Sequence, residues 1–171
     1  MKNPLIACLA LFALASCESE KKGGNMTAEE VAEEMSALKI EPGQWQATNE
    51  ILSASAPGLP ADALKQMVGQ KSNVSNCVTP EEAAKPSANF LTAQKNMDCT
   101  YQDFSMDGGK MTGTMSCTGG QLPGKMVMKM AGDYSPRAYD MNMDMEAGGL
   151  PGGMKMTIKA RTIGRRIGDC A

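Results

Sequence analysis

Three stretches of the chain, KMVMKM (residues 125–130), YDMNMDME (139–146) and MKMTIKAR (154–161), alternate between two kinds of residue almost without a break. A period of two is the pattern of a β-strand with one face buried and the other in water. Met126, Met128 and Met130 share one face of the first stretch, with Lys125 and Lys129 on the other. Tyr139, Met141, Met143 and Met145 alternate with Asp140, Asn142, Asp144 and Glu146. Met154, Met156, Ile158 and Ala160 alternate with Lys155, Thr157, Lys159 and Arg161. Turn-rich pieces at 132–137 and 147–153 separate the three. Their polar faces run basic, acidic, basic. A meander in sequence order therefore sets opposite charges across each seam, worth a few tenths of a kcal/mol per pair. The expected fold class is mainly β (α+β): an antiparallel meander, curled or barrel-like, with short N-terminal helices.

Upstream of these strands, Cys99 and Cys117 stand symmetrically about Gly108, in a glycine-rich turn between two further strand-like runs. A hairpin with a three-residue loop at 107–109 sets Cys99 opposite Cys117 and Tyr101 opposite Met115. A two-residue loop shifts the register by one and sends the two sulfurs to opposite faces. The Cys99–Cys117 disulfide and the odd-length loop are thus expected together. Of six cysteines, Cys8 lies in a leader and Cys17 has a separate use (below), so Cys77 and Cys170 pair by elimination. Such bonds belong to an oxidising compartment. The chain has no histidine and no C-x-x-C spacing, which argues against a zinc site.

The N-terminal half reads as short elements. Thr27 and Glu30 form a capping box ahead of Val31, Met35 and Leu38 at helical spacing, and Pro42-Gly43 ends that helix. Trp45 to Leu52 is extended with imperfect alternation, and 57–60 is a turn. Ala61 to Val68 is expected to be helical, with Leu64, Met67 and Val68 on one side. Asn73 to Val78 is β-like. Thr79 with Pro80 opens a last short helix.

Residues 1–16 read as a secretory signal: Lys2, an apolar run to Ala15, then small residues. The run is too short to span a bilayer as a permanent helix. Leu14-Ala15-Ser16-Cys17 resembles the bacterial lipobox, whose cysteine takes a diacylglycerol and becomes the new N-terminus. Glu18, where an aspartate would retain such a lipoprotein in the inner membrane, points to the outer membrane by the same resemblance. The expected organisation is a signal peptide at 1–16, a lipidated tether at 17–26 and a single disulfide-stapled β-rich domain at 27–171. The expected location is the cell envelope, lipid-anchored on the periplasmic side, at the outer rather than the inner membrane. Sixteen methionines against one Trp, three Tyr and three Phe leave the core to Met and aliphatic residues. The net charge is −2 with both signs interspersed, so no nucleic-acid footprint is expected.

Pro42-Gly43-Gln44-Trp45, the spaced Cys77, Cys99 and Cys117, and the closing Arg165-Arg166-Ile167-Gly168-Asp169-Cys170 resemble a bacterial envelope family catalogued as domain of unknown function thirty-six seventeen. The resemblance covers about residues 38–171. It implies an exported, disulfide-containing, mostly antiparallel β domain and brings no catalytic residues with it.

Function is read from what the residues allow. Without histidine, Ser-His and Cys-His nucleophile systems are excluded. Asp140 and Asp144 fall on the wet face beside Lys and Arg, where carboxylates pair with cations and keep ordinary pKa values. The expectation is a non-enzymatic envelope lipoprotein, a small binding or structural module with no cofactor. Its partners are the membrane through the lipid anchor and an envelope protein or small apolar ligand. The alternative is a Met-rich periplasmic Cu(I)-binding protein, because soft thioethers in M-x-M rows suit Cu(I). Against it, the same methionines are the only apolar face these strands have.

Overall fold

The computed structural model describes residues 24–36, 38–85, 97–119 and 124–171. The signal segment, Cys17 and the tether up to residue 23 lie outside the described residues. The strands are β1 (Asn25–Met26), β2 (Gly43–Ser55), β3 (Lys71–Val78), β4 (Met97–Asp107), β5 (Lys110–Gly119), β6 (Met126–Ser135), β7 (Ala138–Leu150) and β8 (Met154–Gly168). The helices are α1 (Ala28–Ser36), α2 (Ala61–Lys65) and α3 (Pro80–Ala84). All eight strands join one sheet in the order β1-β4-β5-β6-β7-β8-β2-β3. Every pairing is antiparallel. β1 and β3 stand at opposite ends, so the sheet is mostly β as expected but is not closed into a barrel.

From β4 to β8 the chain is a continuous meander, with the neighbours that the alternation and charge pattern call for. The strands run further than the alternation does. β6 continues to Ser135 before a tight Pro136-Arg137 turn, and β8 continues seven residues past Arg161. Registers bring inward side chains into rows: Tyr101, Met115, Met128, Met145 and Ile158 lie side by side across β4 to β8. Next to that row run Gly113, Met130, Met143, Ala160 and Ile51. Glycine in a strand marks a place where another group comes close. A Cβ on Gly113 would lie 2.9 Å from the Phe104 ring, and one on Gly132 would lie 2.7 Å from the Met141 sulfur. Large side chains thus fill the space that the glycines leave.

α1 closes part of this face. Its capping box is made: the Thr27 N–H donates to the Glu30 carboxylate at 2.7 Å, and the Glu30 N–H donates to Thr27 Oγ1 at 3.3 Å. Val31 and Met35, one turn apart, are fully buried in a cluster with Tyr101, Phe104 and Met115. Asn25 and Met26, expected to end the tether, instead pair with Gln102 and Tyr101 of β4, and Met26 is buried. The structured domain therefore includes these two residues.

Two further expectations need correcting. α2 ends at Lys65, and Val68, expected on its apolar side, is 44% exposed. The hairpin between β4 and β5 does place Cys99 opposite Cys117 and Tyr101 opposite Met115, but with a two-residue turn and no three-residue loop. Asp107 pairs with Lys110 around Gly108-Gly109, both at positive φ (56° and 79°), as a tight hairpin turn of the primed type requires. The register is restored by a β-bulge between Gln102 and Ser105, where Asp103 and Phe104 oppose Gly113 alone. Asp103 takes φ 51°, and Phe104 turns inward over Gly113. A second bulge in β2, with Leu52 as the extra residue, accounts for the imperfect alternation there.

The bulge yields a paired prediction. Asp103→Val places a β-branched residue at positive φ and is expected to cost about 1–2 kcal/mol. Asp103→Gly is expected to change stability by no more than about half a kcal/mol, relief of strain offsetting unfolded-state entropy. Urea unfolding midpoints of the two variants check this.

Candidate functional site

The starts of β2 and the end of β8 meet at one corner of the sheet, where the two segments most distant in sequence are brought side by side. Gln44 pairs with Gly168 and Trp45 with Arg166, across a register shift. The Arg166 side chain is only 14% exposed although it carries a charge. Its Nε donates to the Pro42 carbonyl at 2.7 Å and its Nη2 to the Asp169 carboxylate. The Glu41 carboxylate lies 4.0 Å from Arg166 and 3.3 Å from Arg137. Trp45 Nε1 donates to the Glu41 carbonyl at 3.0 Å, and its indole stacks on Tyr139 with centroids 6.1 Å apart. Two backbone bonds of 2.9 Å tie the same corner to the β6–β7 turn: Glu41 N–H to the Pro136 carbonyl and Arg166 N–H to the Arg137 carbonyl.

Glycines make this packing possible. Gly43 has φ 144°, and a Cβ there would lie 2.6 Å from Arg166 Nε and run into the Gly168 carbonyl. Gly164 leaves room for the Tyr139 ring on the neighbouring strand. Burial raises the Tyr139 phenol above its ordinary pKa. One residue beyond Asp169, Cys170 is bonded to Cys77, whose Cα faces Gln44 across β2–β3. The corner is a clasp. Its guanidinium donates to partners within the fold and so holds the start of β2 to the end of β8.

The expected disulfide residues are thus bonded as paired: Cys77 with Cys170 (Cα–Cα 5.6 Å) and Cys99 with Cys117 (4.1 Å). Cys17, the expected lipidation residue, lies outside the described residues. Sequence reasoning missed the parts of the clasp contributed by Glu41, Arg166, Asp169 and Tyr139. The available signal was Gly43 and Gly164 at strand positions, each needing a large neighbour to explain it.

The water-facing side of the meander carries the expected charges. Asp144 pairs with Lys159 at 3.3 Å, Glu146 with Lys155 at 3.5 Å, and Asp140 with Arg161, whose Nε donates at 2.7 Å. All three pairs span the β7–β8 seam. On the β6–β7 seam Lys129 stands opposite Asp144 in register, while the carboxylate takes its bond from Lys159. The Arg161 guanidinium holds Asp140 below the usual carboxylate range. Beside these residues, Asp133, Tyr134, Ser135, Tyr139, Asp140 and Arg165 border an open depression of about 180 Å³. Among the described residues no polar or charged side chain is fully buried, and no three His, Cys, Asp or Glu side chains gather as a metal site. Met111, Met115, Met128, Met130 and Met141 are buried in the core cluster, with Met126, Met143 and Met145 packed against it.

Gly43→Ala is expected to cost about 2–4 kcal/mol in urea unfolding, because the added carbon meets backbone as well as the guanidinium. The acid limb of stability gives a second check. Since Asp140 is depressed in the folded state, its contribution is present above the ordinary carboxylate pKa of about 4 and is lost as pH falls through the folded value. Asp140→Asn is therefore expected to lose a few tenths of a kcal/mol at neutral pH, the pair being solvent-screened. That difference should vanish at strongly acid pH in unfolding titrations.

A family model described as protein of unknown function (DUF3617) matches residues 40–170, from just before β2 to the second clasp cysteine, and leaves out β1 and α1. Comparison with curated proteins and with solved structures found no match. The matched span is more than three-quarters of the chain, and the protein belongs to the DUF3617 family.

Proposed function

We propose that the chain is an exported, lipid-anchored module of the bacterial cell envelope that acts by binding or scaffolding rather than by catalysis. The observation that carries this reading is the division of its thiols. Cys77, Cys99, Cys117 and Cys170 are consumed in two disulfides, while Cys17 follows a short apolar leader in a lipobox-like sequence. Structural disulfides form and persist outside the reducing cytoplasm. The polar run from Glu18 to Gly24 would then separate the lipid from β1.

A non-catalytic role is supported by the placement of titratable groups. The described carboxylates stay at least partly in water, and those of β7 pair with Lys or Arg. Activated acids and bases are instead withdrawn from solvent or set against like charges. The methionine rows favour core packing over copper. Met115 is fully buried between Tyr101 and Met128, and α1 lies across that part of the face. Because the face over β4 to β6 is filled, a protein partner at the surface is favoured over a small apolar ligand within that part of the fold.

The test is metabolic labelling of the full-length chain, expressed in a Gram-negative host, with an alkyne fatty acid. The wild type is expected to take up label and sediment with membranes, and Cys17→Ser to do neither. A wild-type chain that stays unlabelled, or that exposes alkylatable thiols before reduction, would overturn the reading.

A further inference from the structure

Among the described residues β3 is an open sheet edge without the usual protection. Edge strands are ordinarily blunted by proline, bulges, charge or brevity. β3 is eight residues long, pairs with β2 without a register break, and contains no proline or glycine. Its one charge, Lys71, sits at the end and pairs with Glu50 at 3.4 Å. Seven of its eight residues are exposed, and Val74 at its centre is 52% exposed. The opposite edge, β1, is only two residues long, and its Met26 is buried.

The ladder fixes which backbone groups are free. Ile51 N–H donates to the Gln70 carbonyl directly opposite at 3.1 Å. Hydrogen-bonded pairs alternate in an antiparallel ladder, so Ser72, Val74 and Asn76 bond toward β2. The backbone groups of Lys71, Asn73, Ser75 and Cys77 therefore point away from the sheet.

We infer that β3 is a self-pairing edge through which two copies of this chain join into one continuous sheet. A two-fold axis perpendicular to the sheet keeps both apolar faces on the same side, and it requires each inward residue to meet an inward residue. With the axis at Val74, Asn73 faces Ser75 of the second copy and both exchange backbone hydrogen bonds. Val74 then faces its own counterpart in a non-hydrogen-bonded pair, where side chains approach most closely. Ser72 faces Asn76, a hydroxyl against an amide, and Lys71 faces Cys77, so no like charges oppose. The sequence Ser72-Asn73-Val74-Ser75-Asn76 is complementary to itself under this axis. That self-complementarity selects a second copy over an unrelated strand as the occupant. The inference rests on the sheet edge alone and is independent of lipidation.

Native mass spectrometry of the full-length chain, released from detergent micelles over a concentration series, tests it. The wild type is expected to shift from monomer to dimer as concentration rises. Val74→Lys and Val74→Glu, both at a half-exposed position that the single fold tolerates, should each weaken association about fivefold or more by setting like charges opposite. Mixing the two variants should restore dimers, now of mixed composition, in preference to either homodimer. Shared occupancy of a micelle would not depend on residue 74. A wild type monomeric throughout, as expected if the edge serves a different protein, or variants that dimerise like the wild type, would overturn the inference.

Discussion

The seam between β2 and β8 is the contact on which the architecture depends. The meander from β4 to β8 is built from neighbours in sequence, each turn handing one strand to the next. β2 must instead find a strand more than a hundred residues away, pairing Gln44 with Gly168 and Ser55 with Thr157. Closing so long a loop is entropically costly before any contact rewards it. The chain meets that cost at the corner where the seam begins. Arg166 bonds to Pro42, Trp45 stacks on Tyr139, and Cys77–Cys170 links β3 to the end of β8 across the intervening β2. In the chain-entropy account a loop of that size is worth between about 4 and 5 kcal/mol once the bond is made.

The core explains why such staples are needed. Methionine fills space without specifying it, having three rotatable bonds and no branch. A face built from Met111, Met115, Met128, Met130 and Met141 gains burial but selects no unique register by shape. Register has to be imposed by other means, and the structure shows three. Aromatic rings are set over glycines, as with Phe104 over Gly113 and Tyr139 over Gly164. Opposite charges line the wet side of β7–β8, where a one-residue slip would move every carboxylate to the buried face. The Cys99–Cys117 bond pins the β4–β5 hairpin on the far side of its bulge.

The sequence was legible where one physical rule acted alone. The meander followed from period two, the capping box at Thr27 from side-chain spacing, the N-cap at Thr79 from the proline after it, and the cysteine pairing from symmetry and elimination. It was misread where a second rule intervened. Cys99 and Tyr101 are odd-numbered inward residues, whereas Phe104 and Met106 are even-numbered. That change of phase announces a bulge, and it outweighs the three-residue loop inferred from symmetry about Gly108. β8 appeared to stop at Arg161 because its next inward residues are Thr162, Gly164 and Arg166, while Ile163, half-buried, and Ile167, exposed, lie on the other face. Those inward positions are covered by groups from other strands, by the Tyr139 ring and the clasp, so the residue types there carry no strand pattern of their own.

The clasp also bears on how a motif should be read. Pro42-Gly43-Gln44-Trp45 and Arg166-Ile167-Gly168-Asp169-Cys170 are the most distinctive segments of the chain, and distinctive segments invite a catalytic reading. Here each has a packing reason: Gly43 lacks a Cβ because Arg166 and the Gly168 carbonyl occupy the space, and Trp45 reaches both the Glu41 carbonyl and the Tyr139 ring. Arg166 is engaged with Pro42 and Asp169, leaving its guanidinium committed to the fold. A site that spends its charge and hydrogen-bonding groups on cohesion leaves recognition to other surfaces. Methionine and α1 fill the inward face over β4 to β6, so the surfaces left for the proposed binding role are the wet face of the meander and the open edge.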